Sequence, residues 1–186
     1  IYMILLVSAY EMKNIFLFLS LLPLISFGQT KEVSKKQLLT VDNYVQSIDN
    51  LTLDAAFELT NRVTEFAKSL NKKVTIAILD ASGTTILIAR ADGIGPHNTE
   101  AARRKAFTSL STKTPTLTLL RNAESNPDTR NLNTLPELLL LSGGSPIWYK
   151  GNIIGSIGVA GGGSAENDDL IAKSAELTEL GITTKQ

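Results

Sequence analysis

Apolar and polar residues divide the chain into blocks of different period. Ala56, Leu59, Val63, Phe66, Ala67 and Leu70 recur at helical spacing and predict one buried stripe on a helix from Leu53 to about Leu70. Thr52 is the expected N-cap, with Asp54 and Glu58 placed favourably against the helix dipole, and Asn71-Lys72-Lys73 ends the element. Two β-branched runs follow, Val74 to Leu79 and Thr85 to Ala91, separated by Asp80-Ala-Ser-Gly83. Such a pair predicts a β-hairpin.

The stretch from Asp92 to His97 breaks that pattern, and Asn98 or Thr99 is expected to cap a helix through about Ser111. Thr114-Pro115 opens another short helix to about Glu124, stopping at Asn126-Pro127. Residues from Asp128 to Pro136 read as polar and irregular, and the apolar run Leu138 to Leu141 as a short buried strand. Pro146 to Tyr149 and Ile153 to Val159 predict a second hairpin, with Gly151-Asn152 in its turn. A last helix is expected from Glu166 to about Glu179, with Gly181 just past its end. Strands that arrive as hairpins predict an α/β domain of the α+β type, a single domain with a mainly antiparallel sheet flanked by helices.

The N-terminal apolar block belongs to a different class. From Met12, Lys13 supplies a minimal positive region, Ile15 to Ile25 an apolar core, and Ser26-Phe-Gly28 small residues before Gln29. This pattern predicts a cleaved signal peptide, cut before Gln29, and a periplasmic or secreted product. The apolar run is too short for a helix crossing a hydrocarbon core of about 30 Å. Residues 1–11 read as sequence upstream of Met12. Three segments result: 1–28 upstream residues and leader, 29–50 an N-terminal linker, and 51–186 the α/β domain.

Composition narrows the chemistry. Lys plus Arg number 18 and Asp plus Glu 18, so there is no basic footprint for nucleic acid. With no cysteine, disulfides, thiolate catalysis and thiolate metal sites are excluded. The one histidine, His97, rules out a two-histidine metal site within one chain, and no Gly-x-Ser-x-Gly elbow is present. Gly158-Val-Ala-Gly-Gly-Gly-Ser164 lies between a strand and a helix; its backbone N–H groups either cradle an anion or let the two elements pack closely. Asp168 and Asp169 read as solvated first-turn charges, and Arg90 as either an anion partner or a member of an ion pair with Asp92 or Glu100. Trp148 and Tyr149 on a hairpin suggest core or oligomer packing, or stacking on haem.

Five ordered motifs carry a family resemblance: Ile78 to Gly83, Arg90 to His97, Ala101 to Ala106, Ser142 to Ile147, and Ile154 to Gly161 with Asp168. Together they resemble the haem-binding and glycolate-utilisation-G-like family, which includes the C-terminal domain of the propanediol-utilisation corrinoid adenosyltransferase. The Gly95-Pro96-His97 turn of an exported chain is similar to the extracellular haem-binding branch. The resemblance implies an α/β domain in homo-oligomers, often octamers, with haem or iron binding linked to oxidative-stress sensing, and it attaches a haem-degrading label. Matching positions are Asp80, Arg90, Asp92, His97, Lys105, Gly143, Gly144, Gly158, Gly161 and Asp168. The expectation is a haem-binding protein with His97 as axial ligand and Arg90 or Lys105 on the propionates, Tyr44, Tyr149, a lysine or the His97 residues of two subunits being the other candidate ligands. The alternatives are a small-anion-binding module that signals to a membrane sensor protein, and oxidative haem degradation.

Overall fold

The computed structural model describes Val41 and residues 44–186. The leader and most of the expected linker, with their predicted cut before Gln29, lie outside the described residues. Two compact units divide the chain, Ile1–Val45 and Gln46–Gln186. In the first, the amides of Tyr44 and Val45 both donate to the Val41 carbonyl at 2.9 Å, and Tyr44 is exposed.

The second unit is a five-stranded sheet with helices on both faces. Helix α1 (Leu53–Ser69) starts where the Thr52 hydroxyl accepts from the Ala55 amide at 3.2 Å. Strands β1 (Thr75–Asp80) and β2 (Thr85–Arg90) form the first hairpin, in the register Thr75 opposite Arg90. Helices α2 (His97–Thr112), α3 (Thr116–Ser125) and the one-turn α4 (Pro127–Asn131) follow. Strands β3 (Gly144–Tyr149) and β4 (Asn152–Ala160) make the second hairpin, then come α5 (Ala165–Lys173) and the short β5 (Ile182–Thr183). The order across the sheet is β2-β1-β4-β3-β5, and every pairing is antiparallel.

Period-two alternation sends the sheet's two faces into two different cores. Ile76, Ile78, Ile157 and Val159 pack with Leu59 and Val63 of α1 and Ile171 of α5. On the opposite face Ala77 and Leu79 meet Ala102 and Ala106 of α2. There α2 lies almost on the backbone of the sheet. A Cβ on Gly158 would stand 1.9 Å from the Ala102 carbonyl oxygen, and one on Gly144 2.2 Å from that of Lys105. Those two glycines, opposite each other in the β3–β4 ladder, set the depth at which α2 docks.

Four sequence expectations change. Leu138 to Leu141 is not a strand: α2 satisfies part of the backbone that a ladder would otherwise pair. The Thr108 hydroxyl accepts from the Leu139 amide at 2.8 Å, and Arg104 donates to the carbonyls of Pro136 and Leu138 at 2.8 and 2.7 Å. The polar stretch after Asn126 opens as α4, because Asn126 caps the Asp128 amide at 2.9 Å with Pro127 in the first turn. The second hairpin turns on Lys150-Gly151, both at positive φ (48° and 79°), with Tyr149 opposite Asn152. That is the geometry of a type I′ turn. The last helix stops at Lys173 because the chain turns back to lay Ile182 and Thr183 along β3, held by the Thr184 hydroxyl on the Lys173 carbonyl at 3.0 Å.

Candidate functional site

The motif residues fall into three places. The first is a buried polar knot where α2, α5 and the glycine loop meet. Lys105, 4% exposed, donates from Nζ to the Val159 carbonyl at 2.9 Å and to Asp168 Oδ2 at 2.8 Å. The other carboxylate oxygen of Asp168 accepts from the Gly162 amide at 2.7 Å. Gly143 closes the knot: a Cβ there would be 2.8 Å from that of Asp168 and 2.4 Å from the Val159 carbonyl. Gly144 and Gly158 lie alongside, under α2. The loop that could cradle an outside anion thus already holds the protein's own carboxylate. Asp168 and Asp169, expected in solvent, are buried, and Asp169 is paired with Lys173 at 2.6 Å. A buried amine with a partner on each side is a structural cross-link, out of reach of a propionate.

The second place is the end of the sheet where β1 begins and β2 stops. Arg90 is exposed and its Nη1 donates to the Ile94 carbonyl at 2.9 Å. Neither ion pair weighed for Arg90, with Asp92 or with Glu100, forms among the described residues, and Glu100 is held by Arg103 at 2.7 and 2.9 Å. Lys73 Nζ reaches the Asp92 carbonyl at 3.4 Å, and the Asp92 side chain is exposed. Gly161, at the end of β4, has its would-be Cβ 3.3 Å from the Lys73 carbonyl. His97 is the first residue of α2 and is exposed, held up by the Gly95-Pro96 turn. Its ring packs on Gly95, where a Cβ would stand 2.9 Å from Cε1.

A cavity of about 400 Å³ opens at this end, between the last turns of α1 and the β1–β2 pair. Its floor is Ala67, Val74, Ile76, Ala89 and Ala91, and Lys72, Lys73 and Arg90 stand among its walls. Lys72 and Lys73 were not singled out from sequence. They end α1 as an ordinary solvated tail would, and only the pairing Thr75 to Arg90 brings them to one rim.

The third place is the far end of the sheet. Tyr149 pairs with Asn152 and Ile182 there and lies under the Lys150 ammonium, 4.9 Å from its ring centroid. Trp148 is buried. Asp80 also belongs to this end. Its Oδ1 accepts from the amides of Ser82 and Thr84, both at 2.9 Å, and from the Ser82 hydroxyl at 2.6 Å. Partial burial pushes its carboxyl pKa up, but these bonds outweigh it and hold the group below its ordinary value. The structure therefore separates Tyr149 and Asp80 from His97 by the length of β1 and β3.

Residues 51–176 match the family described as "Haem degrading protein HbpS-like". The chain belongs to this HbpS-like family. A solved HbpS double mutant from Streptomyces reticuli is 34% identical, with a TM-score of 0.65, over 70% of this chain and 88% of that one. The crystal structure of a PduOC:heme complex is 28% identical, with a TM-score of 0.63, over 74% of this chain and 99% of that one. The corrinoid adenosyltransferase PduO of Salmonella typhimurium is 30% identical over 131 residues, 69% of this chain and 38% of its own length. The chain thus spans about two fifths of that adenosyltransferase.

The chemistry of two features suits a haem: the exposed imidazole of His97 at the head of α2 for the iron, and the apolar-floored cavity on the α1 face, with cations in its wall for carboxylates. His97 is not among the residues that line that cavity. Among the described residues, no group of three or more His, Cys, Asp or Glu side chains is placed to hold a metal ion by itself.

Proposed function

We propose that this is a haem-binding protein, exported through its N-terminal leader and working as a homo-oligomer. The observation that carries the reading is the exposed position of the single histidine, at the head of α2, in a chain of the HbpS-like family. The haem complex of the related PduOC supports it. His97 holds the iron through an imidazole nitrogen, and Arg90 pairs a propionate. Lys105 does not, because Asp168 and the Val159 carbonyl occupy its ammonium. Bound haem supplies a redox-active iron, which suits a sensing or sequestering role towards a membrane sensor protein.

The oligomer is supported by Leu53 and Phe57, neighbours one turn apart on α1 and about half exposed, together with exposed Leu180. Size-exclusion chromatography with light scattering, run with and without hemin, tests both parts. Co-elution of haem with a species several times the monomer mass is expected; a monomer that leaves hemin behind would contradict the proposal. Haem degradation is a second reading, favoured by the family's description. Incubation of the complex with ascorbate in air separates the two. A persistent Soret band supports binding, and its loss faster than that of free hemin supports turnover.

A further inference from the structure

We infer that the cavity walled by Lys72, Lys73 and Arg90 is a carboxylate-recognising subsite that takes the propionate edge of the porphyrin. The inference rests on the haem reading and extends it to two lysines that no motif marks.

Three features of the cavity select this ligand chemistry. First, its cations are uncommitted to acids. The ion pairs among the described residues use Arg62, Lys68, Arg103, Lys105, Arg121 and Lys173, and none of the three cavity cations. Lys73 and Arg90 are instead steadied by backbone carbonyls, of Asp92 at 3.4 Å and Ile94 at 2.9 Å. Lys72 Nζ lies beside Gly163, 3.5 Å from where a Cβ would be. Neutral partners hold an ammonium or guanidinium in place while leaving its charge unmatched.

Second, the charge count suits a dianion. Lys68, also in the wall, is matched by Glu65 at 2.7 Å. Lys72, Lys73 and Arg90 against the single carboxylate of Asp92 leave two positive charges in excess. Third, the floor of Ala67, Val74, Ile76, Ala89 and Ala91 has no use for a fully hydrated inorganic anion. It suits a flat hydrocarbon body that carries carboxylates at one edge.

The test compares hemin with its dimethyl ester, which keeps the iron and ring but loses both charges. Affinities are read from the Soret band, on the wild-type protein and on K72Q/K73Q and R90Q variants. The wild type is expected to bind hemin about tenfold more tightly than the ester, the scale of a lost charge-assisted hydrogen bond. The variants should lose about that factor for hemin and stay within about twofold for the ester, which also serves as the control for folding. Equal affinity for the two porphyrins, or variants that weaken both alike, would overturn the subsite and leave haem binding through His97 standing. No Soret band with either porphyrin would overturn the haem reading and the subsite with it.

Discussion

At the scale of single residues, the motif positions do different jobs. Lys105 and Asp168 are matched partners inside the fold. Removing one leaves a buried charge without its counter-ion, at a typical cost of about 3–5 kcal/mol. Lys105→Met should therefore lower the midpoint of urea denaturation sharply, while Lys105→Met with Asp168→Leu recovers part of the loss. A single variant as stable as wild type would contradict the cross-link. Asp80 gives a pH signature. Its folded pKa lies below the ordinary 3.8, so its contribution is complete above that value and is lost as pH falls through the folded pKa. Asp80→Asn should flatten the acid limb of a stability-versus-pH curve below about pH 4 and leave its shape at neutral pH unchanged. An unchanged acid limb would show that the Asp80 turn does not hold its carboxylate.

Among the elements, α1, both hairpins and α2 were legible from the sequence. However, the turn of the second hairpin lies at Lys150-Gly151, and α2 starts at His97 after Pro96 with no side-chain cap rather than from Asn98 or Thr99. Leu138 to Leu141 was not legible. Its apolar run looks like a strand, and only the distant side chains of Arg104 and Thr108 give its backbone other partners. The early end of α5 escaped for a similar reason, since it is set by the pairing of β5 with β3. The glycines under α2 show the reverse case. Sequence left the stretch from Gly158 as either an anion cradle or glycines that let a strand and the following helix pack closely, whereas Gly158 is a close contact for α2. Gly158→Ala would drive a methyl group into the Ala102 carbonyl, a backbone atom that cannot rotate away. A loss of about 3 kcal/mol or more is expected, read as a large drop in melting temperature. A near-wild-type melt would mean that α2 can lift off the sheet at little cost.

For the whole molecule, the sheet sorts the candidate site by its two ends. One end gathers His97, Arg90, Asp92 and Gly161 with the two lysines after α1, and the other holds Tyr149 and Asp80. A one-dimensional pattern cannot assign residues to ends, because that depends on the β2-β1-β4-β3-β5 order. The sequence alone therefore put His97 first as ligand, kept Tyr44 and Tyr149 as others, and left Arg90 and Lys105 as alternatives for the propionates. The fold leaves His97 exposed at the head of α2, and it is the ligand we propose. The most direct test is a Soret-monitored hemin titration of the wild-type protein beside His97→Ala. The proposed site predicts a saturable band that is lost or shifted in the variant. A band of the same position and affinity in His97→Ala would contradict it.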